Sequence, residues 1–213
     1  MNRAVFLDRD GVLNRAVVVQ GKPFPPSSLE ELEILPGVPE AVRAIKAAGF
    51  RAIVVTNQPD VATGKQLRSV VDAMHARLRE FLDLDDIFAC YHTDADRCAC
   101  RKPLPGMLLE AAGRWQIDMA ASFMVGDRWR DVEAGQAAGC RTFWVRGEEY
   151  LEKEPSNPDW VVSTLKEASV LICSMVRGNG DKRPVVTNPS RQEKVDSSLA
   201  NVSGSLATTK EVA

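Results

Sequence analysis

The fold of this chain can be worked out from the stretch AVFLDRDGVLN, residues 4–14. Its first four residues are apolar and predict a short buried strand that ends at Asp8, and Gly11 allows a tight turn directly afterwards. Two carboxylates, Asp8 and Asp10, therefore follow a buried strand with one residue between them. For Asp8 taken alone, a solvated turn or a helix cap is an equally good interpretation, so the rest of the chain must decide.

The remainder of the sequence alternates between apolar runs and segments of helical periodicity. Further strands are predicted at 51–58, 87–92, 121–126, 141–145 and 159–162, and helices at 36–50, 66–84, 105–116, 129–139 and in a last segment that ends near residue 176. Alternation of this kind is typical of a parallel sheet with helices on both faces. The predicted fold class is therefore α/β with a Rossmann-like parallel sheet.

Composition and charge limit the class of protein. The chain has 213 residues, of which 45% are hydrophobic and 26% charged, and its net charge is -2. We expect one domain over residues 1–176 and a disordered tail over 177–213, because the tail is polar and lacks aromatic residues; a C-terminal strand pair is the alternative. No global basic field points to nucleic acid or to a membrane surface, and no signal peptide or membrane span is recognised. A cytoplasmic monomer is expected.

Polar residues collect at the predicted carboxyl ends of the strands, where functional residues of a parallel sheet meet. They are Asp8 and Asp10, Thr56 and Asn57, Arg101 and Lys102, and Asp127 and Asp131. Crowded carboxylates raise one another's pKa unless a cation neutralises them, which predicts an oxygen-liking ion such as Mg²⁺. The hydroxyl, amide and cationic groups suit a phosphate, and a carboxylate can act as nucleophile in phosphoryl transfer.

These motifs resemble, in order and spacing, those of the haloacid dehalogenase (HAD) superfamily of phosphohydrolases. They are D-x-D-G-V-L-N at 8–14, V-T-N-Q at 55–58, R-K-P at 101–103 and G-D-R-x-x-D at 126–131. The resemblance spans about residues 3–146 and implies a Mg²⁺-dependent enzyme that hydrolyses a phosphate monoester of a small metabolite. The connections after Asn14 and Gln58 are too short for a large cap domain, so small loops are expected to shape the pocket.

The resemblance also implies a role for each matching residue. Asp8 attacks phosphorus to give an aspartyl-phosphate, and Asp10 protonates the leaving oxygen and then activates water. Mg²⁺ is held by Asp8, the backbone carbonyl of Asp10 and Asp127. Thr56 and Lys102 hold the phosphoryl oxygens, and Asn57 and Arg101 contact the phosphate or substrate hydroxyls. Asp131 binds the metal through water or orients Lys102. Arg9 is expected at the surface or in a loop.

Three of the five cysteines and one of the two histidines lie in CYHTDADRCACRKP, residues 90–103. The pattern C-x-H-x₅-C-x-C matches a closed structural zinc site, which we call the zinc loop (90–103). Its ligands are Cys90, His92, Cys98 and Cys100. Incidental buried cysteines or a redox pair are the alternatives. The pattern ends immediately before Arg101, so a zinc ion here would aim Arg101 and Lys102. Core or helix-surface positions are expected for the remaining residues of these types: Cys140, Cys173 and His75.

Together with R-K-P-x-P-G-M at 101–107, the zinc pattern resembles the D-glycero-D-manno-heptose-1,7-bisphosphate phosphatase branch, which includes histidinol-phosphate phosphatases. A sugar phosphate is the implied substrate, with histidinol phosphate as the alternative. Three features depart from the heptose enzymes: Thr63 replaces Arg, Arg128 replaces Lys, and the segment between His92 and Cys98 is short. A non-catalytic zinc-binding interaction module and a phosphotransferase or mutase are the alternatives of another class.

Overall fold

The computed structural model describes residues 1–146, 150–176 and 178. Its elements are β1 (Arg3–Leu7), β2 (Val17–Val19), β3 (Lys22–Phe24), α1 (Val38–Ala47), β4 (Phe50–Asn57), α2 (Arg68–Phe81), β5 (Asp86–Cys90), a 3₁₀ turn (Asp94–Asp96), α3 (Gly106–Trp115), β6 (Phe123–Gly126), α4 (Trp129–Ala138), β7 (Arg141–Val145), β8 (Trp160–Val162) and α5 (Leu165–Val176). The predicted tail lies outside the described residues, apart from Gly178. None of the helices that are described is long and apolar enough to cross a membrane.

The main sheet has six strands in the order β5-β4-β1-β6-β7-β8, and every pairing in it is parallel. Strand β1 lies between β4 and β6, with Leu7 in register with Val54 on one side and Val125 on the other. The residues that follow these strands therefore emerge side by side at one edge. The predicted α/β fold is confirmed, and its geometry brings Asp8 next to the ends of β4 and β6.

Helices cover both faces of the sheet, because alternate residues of the strands point to opposite sides. Val5 and Leu7 of β1 belong to an apolar core that includes residues of α1 and α5. Ala4 and Phe6 belong to the other core, which includes residues of α3 and α4. The predicted runs of consecutive apolar residues in the strands thus reflect burial on both faces, and this leaves only the strand ends for polar chemistry.

A hairpin formed by β2 and β3, which sequence reasoning did not predict, follows the first aspartate motif and forms a separate two-stranded sheet. Its turn residues Gln20 and Gly21 have φ values of 50° and 72°, as the tight turn of a hairpin requires. The strands are only three residues long and largely exposed, so they carry no periodic burial signal. The carbonyl oxygen of Gly21 accepts a hydrogen bond from the backbone of Leu151 at 2.7 Å.

Candidate active site

A buried lysine joins the first, third and fourth motifs at the edge of the sheet. The Nζ atom of Lys102 lies 2.8 Å from Oδ1 of Asp8 and 2.5 Å from Oδ1 of Asp131. It also donates to the backbone carbonyl of Val55 at 2.7 Å, and its side chain is only 2% exposed. Three oxygen partners thus satisfy the three N–H groups of this ammonium. The predicted convergence of Asp8, Lys102 and Asp131 is what the structure shows.

Three carboxylates crowd around this single lysine: Asp8, Asp127 and Asp131 each place one oxygen within 4.8 Å of the others. Burial and the charge of Asp131 raise the pKa of Asp8 to about 6, although Lys102 opposes the rise. Burial and the charges of Asp8 and Asp131 raise the pKa of Asp127 well above its usual range. The Oδ1 atom of Asp127 is buried and has no hydrogen-bond partner among the described residues. This all-oxygen donor set suits a divalent cation such as Mg²⁺.

The close packing of Asp127 explains the glycine that follows Asp10. Gly11 has φ +88°, and a Cβ atom at this position would lie 2.0 Å from Oδ2 of Asp127. The same carboxylate accepts a hydrogen bond from the hydroxyl of Tyr150 at 2.8 Å, and its backbone carbonyl accepts one from Trp144 at 2.9 Å. Asp127 is thus fixed against the turn after β1, where only glycine fits.

Asp10 has a different environment from Asp8. Its Oδ1 accepts a hydrogen bond from Asn14 at 3.0 Å, and its Oδ2 accepts one from Gln58 at 2.8 Å. Arg9 forms an ion pair with it at 3.0 Å. Burial alone would raise the pKa of Asp10, but the charge of Arg9 and these hydrogen bonds together lower it. Two aspartates separated by one residue therefore have pKa values shifted in opposite directions.

Arg9 is fully buried, so its expected position at the surface is wrong. It does lie in the loop after β1, but its guanidinium contacts Asp10 on one edge and His75 on the other, with Nη1 3.3 Å from Nε2 of His75. His75 is 6% exposed, in agreement with a packing role. Burial of Arg9 was not predictable locally, because its partner His75 lies 66 residues away in the sequence.

The end of β4 contributes both a pocket residue and a connection to the third motif. Thr56 is 1% exposed, and its hydroxyl accepts a hydrogen bond from Gln58 at 2.8 Å. The side-chain amide of Asn57 pairs with the backbone of Lys102 through bonds of 3.0 and 3.1 Å. Asn57 lines the pocket, but its amide holds the backbone of the zinc loop at Lys102. The resemblance assigns no role to Gln58, and its place in the V-T-N-Q motif is the only sequence signal for its contacts with Asp10 and Thr56.

A cavity of about 230 Å³ opens next to Asp8 and Asp10, and its lining includes charged residues of both signs. Its basic lining residues are Lys22, Arg101, Lys102, Arg128 and Arg130. Arg101 and Arg130 both bind Oδ1 of Asp94, at 2.7 and 3.2 Å, and Arg128 pairs with Glu152. The Nη1 atom of Arg101 is buried without a partner among the described residues. Sequence reasoning missed Lys22, which lies outside the motifs, and Arg130, which occupies an unspecified position within the fourth motif.

The four predicted ligands of the zinc loop come together at the end of β5. Their sulfur atoms lie 3.3–3.7 Å apart, and Nδ1 of His92 lies 3.5 Å from Cys90 and 3.3 Å from Cys100. Bonds of about 2.3 Å in tetrahedral geometry separate sulfur ligands by roughly 3.8 Å, so the spacing suits zinc. Cys90, Cys98, Cys100 and Cys140 are free thiols, and Cys140 and Cys173 are buried as expected.

The zinc loop packs closely on the start of α3. A Cβ atom on Gly106 would lie 2.2 Å from the carbonyl oxygen of Ala99, and the backbone N–H of Gly106 donates to the same oxygen at 3.1 Å. Arg101 and Lys102 follow the last ligand directly and reach the pocket. The loop is therefore held at both ends, by the cysteine cluster and by the amide of Asn57.

Comparison with known families agrees with this site. The model of the haloacid dehalogenase-like hydrolases matches residues 17–139, more than half of the chain. The chain belongs to this family of hydrolases. This hydrolase is 37% identical over 178 residues to a D-glycero-beta-D-manno-heptose-1,7-bisphosphate 7-phosphatase of Yersinia pestis. The alignment covers 77% of this chain and 92% of that protein. This hydrolase is 40% identical to the enzyme of that name from Rhodopseudomonas palustris, covering 68% and 84%.

A solved structure is similar over nearly its whole length. The D,D-heptose 1,7-bisphosphate phosphatase of B. bronchiseptica, crystallised with magnesium and phosphate, superposes with a TM-score of 0.71 at 30% identity. The match covers 81% of this hydrolase and 99% of that chain. The predictions of the HAD fold and of a phosphatase are therefore confirmed.

Proposed function

We propose that this phosphatase removes one phosphate from a sugar bisphosphate of the heptose 1,7-bisphosphate type, through an aspartyl-phosphate on Asp8. One observation carries the proposal: Asp8 lies at the end of the central strand, 2.8 Å from a fully buried lysine and beside two further carboxylates. A nucleophilic carboxylate needs positive charge nearby, both to favour its charged form and to let an anionic phosphate approach.

Lys102 serves both requirements in this proposal. Its ammonium favours the carboxylate form of Asp8 in the free enzyme, and it can donate to a phosphoryl oxygen held over Asp8. Asp131 keeps the ammonium in place from the other side. The hydroxyl of Thr56, which lines the same pocket, is the second donor to the phosphoryl group. Asn57 acts by fixing the zinc loop at Lys102, and Arg101 contacts the substrate.

Asp10 acts as the acid and then as the base. An anionic phosphate next to it opposes its ionisation and so favours the protonated form that transfers a proton to the leaving oxygen. When the alcohol has left, the hydrogen bonds from Asn14 and Gln58 favour the carboxylate, which takes a proton from the attacking water. The different partners of the two residues, Lys102 for Asp8 and Asn14 and Gln58 for Asp10, support different roles for them.

Two metals complete the proposal. Asp8 and Asp127, with the backbone carbonyl of Asp10, would hold Mg²⁺, and Asp131 would support them. The Oδ1 atom of Asp127, which has no partner among the described residues, supports this site. When bound, Mg²⁺ reduces the repulsion between the carboxylates and the phosphate. Zinc held by the zinc-loop cluster is structural, because a Cys₃His set leaves no position for water.

The basic side chains of the cavity favour a bisphosphate over the alternative substrate. A second phosphate would be attracted by Lys22, Arg101 and Arg130, whereas the ammonium of histidinol phosphate would be repelled by them. The names of the relatives support the same choice. We further propose that residues 1–176 form the catalytic domain and that the enzyme is a cytoplasmic monomer, as the sequence predicts.

The experiment measures phosphate release with Mg²⁺ from heptose 1,7-bisphosphate, other sugar bisphosphates, sugar monophosphates and histidinol phosphate. We expect the heptose bisphosphate to give the highest kcat/KM and Asp8→Asn to lose activity by at least about a thousandfold. Asp83→Asn, an exposed aspartate of the loop after α2, is the control and should behave as wild type. Equal turnover by Asp8→Asn would exclude the mechanism, and a preference for histidinol phosphate would exclude the substrate.

A further inference from the structure

A buried histidine outside the substrate pocket contacts the catalytic machinery through an arginine. His75 lies on α2, is 6% exposed and does not line the cavity next to Asp8. Its Nε2 atom lies 3.3 Å from Nη1 of Arg9. Because a guanidinium only donates hydrogen bonds, Nε2 must be the acceptor, and the ring must be neutral with its proton on Nδ1. Burial, followed by the charge of Arg9, lowers the pKa of His75 to about 4, which agrees with a neutral ring.

Arg9 is held between two partners that lie on different elements. Its Nε and Nη2 atoms donate to Oδ2 of Asp10 at 3.2 and 3.0 Å, and its Nη1 atom faces His75. The arginine is fully buried, so without His75 its Nη1 would be left with an unsatisfied N–H group. Such a group costs free energy unless the guanidinium turns towards another acceptor. A turn of this kind would move the donors that face Asp10.

We propose that His75 is a positioning residue for the proton transfers of Asp10. By accepting the hydrogen bond of Arg9 it holds the guanidinium against the carboxylate of Asp10, and this carboxylate in turn keeps its direction towards the leaving oxygen. The inference rests on the proposed role of Asp10. Proton transfer depends steeply on such placement, since a displacement of about 1 Å can cost a hundredfold in rate.

The test compares variants at position 75 that differ in their acceptor. His75→Leu removes the acceptor, and His75→Gln carries an amide oxygen at about the distance of Nε2. His75→Asn is polar but too short to reach Arg9. All variants are measured with two substrates. The leaving group of a sugar phosphate is an alkoxide, which needs a proton from an acid. The leaving group of 4-nitrophenyl phosphate is 4-nitrophenolate, a stable anion that needs none. The value compared is kcat/KM, because it reports only the steps up to the aspartyl-phosphate.

We expect kcat/KM of His75→Leu and His75→Asn to fall about tenfold on the sugar phosphate and less than about threefold on 4-nitrophenyl phosphate. His75→Gln should stay within about threefold of wild type on both. An equal loss on both substrates, no loss in either variant, or no rescue by Gln would overturn the proposal. If His75→Leu does not fold, the comparison of Gln with Asn gives the same decision.

A second measurement does not depend on activity. Nitrogen-15 NMR of the wild-type enzyme at neutral pH should show His75 neutral with an unprotonated Nε2; a proton on Nε2 would overturn the proposal. Asp10→Asn separates this inference from the function on which it rests. If Asp10→Asn lowers kcat/KM on the sugar phosphate but not on 4-nitrophenyl phosphate while His75→Leu lowers neither, the function stands and the inference fails. If Asp10→Asn shows no such preference, the proposed role of Asp10 fails.

Discussion

The ammonium of Lys102 lies 2.5 Å from Oδ1 of Asp131, and both side chains are 2% exposed. The other oxygen of Asp131 accepts a hydrogen bond from the backbone of Arg128 at 3.0 Å, at the start of α4. The carboxylate of Asp131 is therefore fixed at the start of its own helix, and its partner Lys102 belongs to the zinc loop. Removal of Lys102 leaves the buried charges of Asp131 and Asp8 without their shared cation.

Replacement of the lysine tests this arrangement. Lys102→Met should lower kcat/KM by about a thousandfold, because the phosphoryl group loses a charged donor. It should also lower the free energy of unfolding of the metal-free enzyme by about 3 kcal/mol, because Asp8 and Asp131 lose their shared cation. Phosphate release and urea denaturation measure the two effects. Lys65→Met, at an exposed position, is the control. Wild-type activity in Lys102→Met would contradict the assignment.

Two glycines allow a matched comparison of backbone effects. Gly11→Ala should abolish Mg²⁺-dependent activity, since its methyl group would lie 2.0 Å from Oδ2 of Asp127. Gly113→Ala, in the interior of α3 with nothing within 4 Å of the added carbon, should raise the free energy of unfolding by about 0.5–1 kcal/mol. Activity and denaturation curves of both variants check this. If both substitutions left activity intact, the close approach of Gly11 to Asp127 would have no functional meaning.

The zinc proposal predicts a loss that is specific to the cluster. Wild-type protein should contain one zinc ion per chain that resists mild EDTA, and Cys98→Ser should lose zinc and lower kcat by about tenfold or more, because Arg101 and Lys102 are no longer held. Metal analysis and phosphate release are the measurements. Cys140→Ala removes a buried thiol outside the cluster and should keep both zinc and activity. Full zinc content and activity in Cys98→Ser would refute the proposal.

His75 predicts a pH dependence of stability. Its pKa is lowered from 6.5 to about 4 in the folded state by burial and by Arg9, with a further contribution from Arg79, against the opposing charges of Asp72 and Asp10. The unfolded chain therefore binds a proton between these values and the folded chain does not, so stability is complete above pH 6.5 and falls as the pH is lowered towards 4.

From pH 7.5 to pH 4.5 this group alone should reduce the free energy of unfolding by about 2–3 kcal/mol. His75→Gln removes the titration and keeps the other charged groups. Urea denaturation of both proteins at the two pH values should therefore show a smaller loss in the variant. The same loss in both proteins would mean that His75 titrates normally in the fold.

Arg130 predicts how the second phosphate is bound. Arg130→Gln should raise KM for a sugar bisphosphate by about tenfold, because a charge-assisted contact is lost, and leave KM for 4-nitrophenyl phosphate unchanged. Its ion-pair partner Asp94 is 66% exposed, so the fold should not suffer. Arg114→Gln, on the exposed surface of α3, is the control. Equal effects on both substrates would place Arg130 at the reacting phosphate instead.

The sequence predicted the sheet because the buried strands are continuous apolar runs that end in polar motifs. It predicted Asp8, Lys102, Asp127 and Asp131 as neighbours because parallel strands bring their carboxyl ends to one edge. The contacts of Arg9 could not be read in this way. An arginine between two aspartates suggests a solvent-exposed position. Its burial depends on the face that α2 turns towards the sheet.

The hairpin and the second group of cations were also beyond local reasoning. Strands of three exposed residues bury too little apolar surface to leave a pattern. Arg130 occupies an unspecified position of the fourth motif, and its direction into the pocket is set by Asp94 in the zinc loop, 36 residues earlier. The identity of these residues was visible in the sequence, and only the fold shows which of them face one cavity.

The hairpin of β2 and β3 is separate from the six-stranded sheet, and it contributes Lys22 and Phe24 to the wall of the pocket. Asp8 directly follows the central strand β1, and Lys102 lies in the zinc loop; both side chains are buried. Mutations in the hairpin can therefore accumulate without disturbing the reaction centre. A descendant of this enzyme could acquire a new substrate through changes in this short exposed segment while inheriting the chemistry intact.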